Sequence, residues 1–233
     1  MEIVGAGPPT VEQILERHAR LLARLRETAA ANGHDSERLR IVAVTKTWPG
    51  EVVRVAFDAG LTRLGESRIQ EAEPKIAGLP AAEWHFIGRL QSNKARRAVR
   101  AFAVIHSVDS FELLDRIGEL AAAEGRDPAL LLQVNVSGEA ARSGFAPDAV
   151  LDGATSLTSA GLVGLMTIAP MGASLYEARS VFARLRELRD RLEQRAGIGL
   201  PELSMGMSAD ADAAAAEGAT LIRIGTALFG PRG

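Results

Sequence analysis

The sequence predicts an α/β fold, a (β/α)8 TIM-type barrel with one extra helix at its N-terminus. Three observations carry this expectation. Short apolar, β-branched runs alternate about eight times with longer amphipathic segments along the 233 residues. Strand–helix units in series imply parallel strands joined by right-handed crossovers. A doubly wound open sheet gives the same alternation, but eight units in one stretch without a linker-like shift in composition favour closure.

The first nine residues, with Gly5, Gly7, Pro8 and Pro9, read as a flexible N-terminus, and residues 10–233 as a single domain. Thr10 opens the extra helix, with Gln13 at capping-box spacing. Ile14, Leu15, Leu21, Leu22 and Leu25 share one face, and Asn32-Gly33 ends it. Ile41–Val44 is a strand buried on both faces. Helix Glu51–Ala59, strand Leu61–Gly65 and a helix to about Ile76 follow. Next come strand Trp84–Ile87, a basic helix from Ser92 and strand Val104–His106. Asp109 with Glu112 is expected to cap a helix through Ala123. Strand Leu130–Val136, helix Ala149–Thr158 and strand Leu162–Ile168 continue the series. The long helix Leu175–Arg195 points Val181, Phe182, Leu185, Leu188 and Leu192 inward. Strand Leu203–Met205, helix Asp210–Glu217 and strand Thr220–Ile224 complete eight units.

Composition narrows the function classes. Hydrophobic residues make up 47% and charged residues 24%, an ordinary globular profile. Cysteine is absent, which excludes disulfides, thiolate nucleophiles and cysteine metal sites. A formal net charge of −2 argues against a general nucleic-acid partner. Met1–Thr10 lacks the features of a signal peptide, and Leu162–Met171 is too short and broken to span a bilayer. The expectation is a cytoplasmic protein without a membrane partner. His85 and His106 lack a third ligand pattern, so no metal site is expected.

In such a barrel, chemistry gathers where strands end. Lys46 directly follows the first strand. Desolvation there would lower its pKa and free the amine to condense with an aldehyde. Alternatively it reaches solvent or pairs with Glu66. Gly225 and Thr226 follow the last strand, where barrels commonly hold phosphate, and Ser204 and Gly206 line the same side. A capping turn with a structural glycine is the other reading. Lysine on one wall and a phosphate cradle opposite suggest pyridoxal 5'-phosphate (PLP). Arg223 would lie between them and hold the pyridine nitrogen unprotonated, since arginine cannot accept its proton. A salt bridge to a carboxylate is the alternative for Arg223. Lys94, Arg96, Arg97 and Arg100 read as a solvated face.

Several strings resemble the YggS/PROSC family of PLP homeostasis proteins. They are Ile41-Val42-Ala43-Val44-Thr45-Lys46-Thr47, Gly65-Glu66 with Gln70-Glu71, Trp84-His85-Phe86-Ile87-Gly88 and Leu90-Gln91-Ser92-Asn93-Lys94. Further along come His106-Ser107-Val108-Asp109, Gln133-Val134-Asn135-Val136-Ser137 with Glu139, and Gly164-Leu165-Met166. Leu203-Ser204-Met205-Gly206-Met207-Ser208 with Asp210, and Arg223-Ile224-Gly225 with Phe229-Gly230, complete the match. The resemblance covers nearly the whole chain. It implies a barrel like the N-terminal domain of alanine racemase, PLP fold type III. It also implies PLP as an internal aldimine on Lys46, with Arg223 at the pyridine nitrogen and Ser204, Gly225 and Thr226 at the phosphate. Met166, Gly206, Asn135 and His85 would line the pocket. Where the family reads Gly-Glu-Asn-Tyr, this chain has Gly65-Glu66-Ser67-Arg68. Arg142 stands before Ser143-Gly144 where the family often has lysine, so no second imine can form there.

Family members have no established turnover and are assigned to vitamin B6 homeostasis. The expected partners are PLP and the apo forms of PLP-dependent enzymes, with the chain a monomer or weak dimer. The competing reading is a PLP-dependent amino-acid racemase, which needs a second acid/base facing the lysine. In alanine racemase a partner subunit's tyrosine supplies it. Here the sequence stops shortly after the last strand, and the single tyrosine, Tyr176, opens a surface helix. A cofactor-free Schiff-base aldolase, a colourless protein, is the third reading.

Overall fold

Eight parallel strands close on themselves in sequence order. The structure is a computed structural model that describes residues 8–139, 143–154, 157 and 161–231. The strands are β1 (Arg40–Val44), β2 (Arg63–Glu66), β3 (Glu83–Phe86), β4 (Val104–Val108), β5 (Ala129–Gln133), β6 (Leu162–Met166), β7 (Glu202–Ser204) and β8 (Leu221–Ile224). Closure comes from β1 pairing with β8, which sets Val42 opposite Arg223 and Ala43 opposite Ile224. The last strand is thereby the neighbour of the first.

The helices alternate with the strands: α1 (Val11–Ala31), α2 (Gly50–Asp58), α3 (Ile69–Gly78), α4 (Ala95–Ala101), α5 (Phe111–Glu124), α6 (Pro147–Asp152), α7 (Leu175–Ala196), α8 (Ala211–Ala216) and the short α9 (Thr226–Phe229). Helix α1 is the extra one. Its Thr10–Gln13 capping box forms as the sequence predicts, and Ile14, Leu21, Leu25 and Ala29 are buried. Leu15, expected on that apolar face, is exposed. Every inward position expected on α7 is buried, and Ser174 with Glu177 forms a second capping box.

Several boundaries differ from the expectation. Ser110, not Asp109, caps α5, because its hydroxyl accepts the N–H of Leu113. Strand β5 ends at Gln133; Val134 still donates to the Met166 carbonyl of β6 at 2.8 Å but on its other side forms an isolated bridge with Phe145. Helix α6 starts at Pro147, whose missing N–H suits a first helical turn. Segment 226–229, read only as a glycine turn, forms α9. Residues 1–7 and Arg142 lie outside the described residues. The basic run is a solvated face: Arg96 and Arg100 pair with Glu124, and Arg97 with Glu73. Among the described residues no helix is long and apolar enough to cross a membrane.

Two cores result from the period-2 alternation of the strands. Outward residues join the helices in the main core, while Val42, Val104, Leu131, Met166 and Leu221 form a small apolar cluster of their own. At the upper end of β1 and β2 the outward positions turn polar. Thr45 Oγ1 donates to Glu66 Oε1 at 2.8 Å, and Lys75 Nζ of α3 donates to the same oxygen at 2.7 Å. Lys75 also reaches the Thr45 carbonyl at 3.0 Å and Glu71 at 2.8 Å. Burial pushes the Glu66 carboxyl up, against the pull of Lys75.

Removing Lys75 would strand a buried carboxylate. We expect Lys75→Met to cost about 3–5 kcal/mol in urea unfolding. The double variant Lys75→Met/Glu66→Gln should recover part of that loss.

Candidate functional site at the carboxyl ends of the strands

Lys46 sits on the first residue pair beyond β1. Thr45 continues the ladder by donating its N–H to the Gly65 carbonyl at 3.0 Å, with its side chain outward against Glu66. Alternation therefore puts Lys46 on the inward register of Val42 and Val44. It is half-buried, and no hydrogen bond or ion pair engages it among the described residues. The expected alternative, a Lys46–Glu66 pair, does not form, because Lys75 occupies Glu66. Thr47 follows with φ +69°, a strained backbone for a β-branched residue. Its N–H is held by Glu71, which Lys75 anchors in turn. The turn that presents Lys46 is thus tied to α3.

Arg223 is on the neighbouring strand, 4% exposed. NH1 donates to Ser204 Oγ at 2.6 Å and NH2 to the Thr167 carbonyl at 3.0 Å. Two of its five N–H donors account for these bonds. No carboxylate touches the guanidinium among the described residues, so the salt-bridge alternative is not what the fold adopts. Burial pushes its pKa down to about 10.

Below Arg223 lies a row of buried polar groups. Ser204 Oγ is 2.8 Å from His106 Nδ1, His106 Nε2 is 2.8 Å from His85 Nδ1, and His85 Nε2 is 2.8 Å from Glu83 Oε1. Burial holds both histidines below their ordinary pKa, His106 well below, so both are neutral at pH 7. Glu83 stays charged, held below the usual carboxylate range by the His85 hydrogen bond.

Gly225 joins β8 to α9. A Cβ built there would meet only Val44, at 3.7 Å, so protein atoms do not fill the space before it. Gly225, the N-cap residue of α9, has no side chain with which to cap it. Ser208 Oγ accepts the N–H of Ala227 at 3.4 Å, and Thr226 opens the helix. Arg17 of α1 holds this segment through the Leu228 carbonyl at 2.9 Å, and Trp48 packs on Phe229.

The sequence candidates separate into two groups. Lys46, Arg223, Gly225 and Thr226 gather on the adjacent ends of β1 and β8. Ser204 is not beside Gly225 and Thr226; its hydroxyl is taken up below by Arg223 and His106, and Ser208 stands at α9 instead. His85 is deeper still, inside the barrel. Met166 belongs to the interior apolar cluster. Gly206 has φ +87°, and a Cβ there would come within 2.4 Å of the Ala214 Cβ, so it lets α8 pack. Asn135 organises the loop after β5, accepting from Ser137 and Gly138. Lys75, Ser208, Glu83 and His106 were missed as site residues. The i, i+4 spacing of Ser204 and Ser208, and of Glu71 and Lys75, was the available signal.

The family model for the alanine racemase N-terminal domain matches residues 18–233. A Pseudomonas aeruginosa protein named pyridoxal phosphate homeostasis protein is 45% identical over 225 residues, 94% of this chain and 96% of that protein. The Aquifex aeolicus protein of that name is 39% identical over 93% of this chain and 97% of its own. The chain belongs to the alanine racemase N-terminal domain family, among the pyridoxal phosphate homeostasis proteins. A solved relative in this family, PipY of Synechococcus elongatus with PLP bound, is 40% identical with a TM-score of 0.82, covering 93% of this chain and all of PipY. Against D-threo-3-hydroxyaspartate dehydratase the identity is 19% and the TM-score 0.67, a likeness of fold alone.

The neutral histidines of this family member set a pH dependence. A histidine whose folded pKa is depressed binds fewer protons folded than unfolded, so stability falls as pH drops below about 6.5. His85 and His106 both act this way, and His18 adds to them. We expect the urea midpoint to fall between about pH 7 and about pH 5, with slope up to ~1.4 kcal/mol per pH unit for each histidine. A double His85→Asn/His106→Asn variant should flatten that slope.

Proposed function

We propose that this chain binds PLP at the β1–β8 end of the barrel and serves PLP homeostasis without sustained turnover of its own. The observation that carries this reading is Arg223. A guanidinium is buried with spare donors and no carboxylate, one strand from an unengaged lysine and beside an open glycine turn. Such a donor set suits a ligand with a weakly basic ring nitrogen, an aldehyde and a phosphate. The PLP-bound relative PipY supports the same identity for that ligand.

PLP supplies an aldehyde that an amine can capture reversibly, and a ring that withdraws electrons. The residues of this chain would hold it as follows. Lys46 offers the amine, on a turn fixed by Glu71. Arg223 donates toward the ring nitrogen, and because it stays protonated it leaves that nitrogen without a proton. This weakens the ring as an electron sink. Gly225 allows close backbone approach, and Thr226 and Ser208 offer hydroxyls for the phosphate, with Ser208 taking the part the resemblance gave to Ser204.

The absence of turnover rests on what faces the lysine. Racemisation needs a second acid/base group there. Tyr176 is 84% exposed on α7. His85 and His106 are neutral and enclosed by hydrogen-bond partners inside the barrel. Homeostasis then means reversible holding of the cofactor, with apo-enzymes as recipients, in the cytoplasm, by a monomer or weak dimer.

Lys46→Ala should abolish the visible absorbance and borohydride trapping of a pyridoxyl group, with unchanged far-UV circular dichroism. Persistent colour in that variant would reject the assignment. Incubation of the PLP-loaded protein with L-alanine should give no steady production of D-alanine, measured by chiral chromatography.

A further inference from the structure

The buried polar row beneath Arg223 has a direction. Arg223 can only donate, so Ser204 Oγ accepts at that contact. The remaining question is where the Ser204 proton goes. In one arrangement Ser204 donates to His106 Nδ1, His106 Nε2–H donates to His85 Nδ1, and His85 Nε2–H donates to Glu83. Every proton then has an acceptor and every acceptor a proton. In the reverse arrangement His106 Nδ1–H donates to Ser204, and His85 Nδ1–H donates to His106. The Ser204 proton is then left without an acceptor among the described residues, and a lone pair of His85 faces the charged Glu83 carboxylate. Inside a closed barrel both faults are costly.

We propose that Ser204, His106, His85 and Glu83 are positioning residues that form a one-way hydrogen-bond chain and fix the Arg223 guanidinium in place for the cofactor ring nitrogen. This rests on the reading of PLP binding above. Glu83 begins β3 at the opposite mouth, where its carboxylate is 44% exposed and lies 3.4 Å from Arg63. Arg40 and Glu202 pair at that same mouth, at 2.6 Å. The carboxylate thus terminates the chain in a charged layer far from Lys46. Ser204 has a further consequence to bear: with its lone pair given to Arg223 and its proton to His106, it keeps no donor for a phosphate.

The test has two arms. In the first, imidazole nitrogen NMR is recorded on the protein without PLP. We expect both histidines as neutral Nε2–H tautomers at about pH 7 to 8, above the ordinary imidazole range. A protonated Nδ1 on either ring in that range overturns the direction. Glu83→Leu, which removes the terminal acceptor, should mix the tautomers, whereas Glu83→Gln, whose carbonyl still accepts, should preserve them. In the second arm, PLP is bound to the variants. Ser204→Ala should weaken PLP binding roughly tenfold, the scale of one hydrogen bond to a charged group, and move the visible band and its pH titration. Ser204→Thr should restore both. Glu83→Leu should move the band in the same direction from the far mouth. A general loss of packing would lower the melting temperature without moving the band. An unchanged spectrum in both Ser204→Ala and Glu83→Leu overturns the positioning role. Wild-type protein that takes up no PLP would overturn the binding reading and that role, while the NMR arm still decides the direction of the chain.

Discussion

The pairing of the first strand with the last is the constraint on which the site depends. Lys46 and Arg223 are 177 positions apart in sequence, yet β1 and β8 are hydrogen-bonded neighbours with Val42 opposite Arg223. Once the sheet closes, strand alternation sends Val42, Val44 and Lys46 to one face of β1, and Leu221 and Arg223 to the matching face of β8. No loop has to fold over to bring the amine and the guanidinium together. The helices that flank the sheet, and the main core beneath them, serve that closure.

Closure also determines what the interior costs. A barrel of this size is usually filled with branched apolar side chains. Here only part of the interior follows that rule. The rest carries two histidines, a serine and an arginine, all buried. A buried cation without a counter-ion is expensive, and hydrogen bonds recover part of that cost only if all of them are made. Neutral histidines are the affordable choice in such a place, because each can accept on one side and donate on the other without adding charge. The outer network around Lys75 solves a different problem with a different device. It spends an ion pair to hold the turn on which Lys46 sits, and Thr47 accepts a left-handed backbone as part of that turn.

Much of this was legible in the sequence. The eight strand–helix units and the inward face of α7 follow from periodicity, which local side-chain sterics dictate, and the Thr10–Gln13 capping box from its spacing; the Ser174–Glu177 box emerged only in the structure. Lys46 and the Gly225–Thr226 turn were readable because a polar residue directly after an apolar strand has few other reasons to be there. What the sequence did not disclose depends on register. Ser204 and Ser208 are both serines near the end of β7. Only the strand's exact end decides which one points down the barrel toward His106 and which reaches α9. Leu15 has the spacing of a core residue but lies at the margin of the α1 face. Asp109 and Ser110 are both good capping residues, and the length of β4 chooses between them.

The two networks meet at one consequence for chemistry. A catalyst for proton transfer at carbon needs groups that change protonation during the reaction, and so needs them partly free. In this barrel the groups nearest the site are committed. Lys75 engages both Glu66 and Glu71 behind the lysine turn. His106 and His85 are each bonded through both ring nitrogens, and Arg223 cannot release its proton in the physiological range even with its pKa pushed down to about 10. What remains uncommitted is Lys46 itself, together with the open turn at Gly225. An amine that is free to condense and release, inside a frame whose other protons are fixed, is what the proposed holding role calls for.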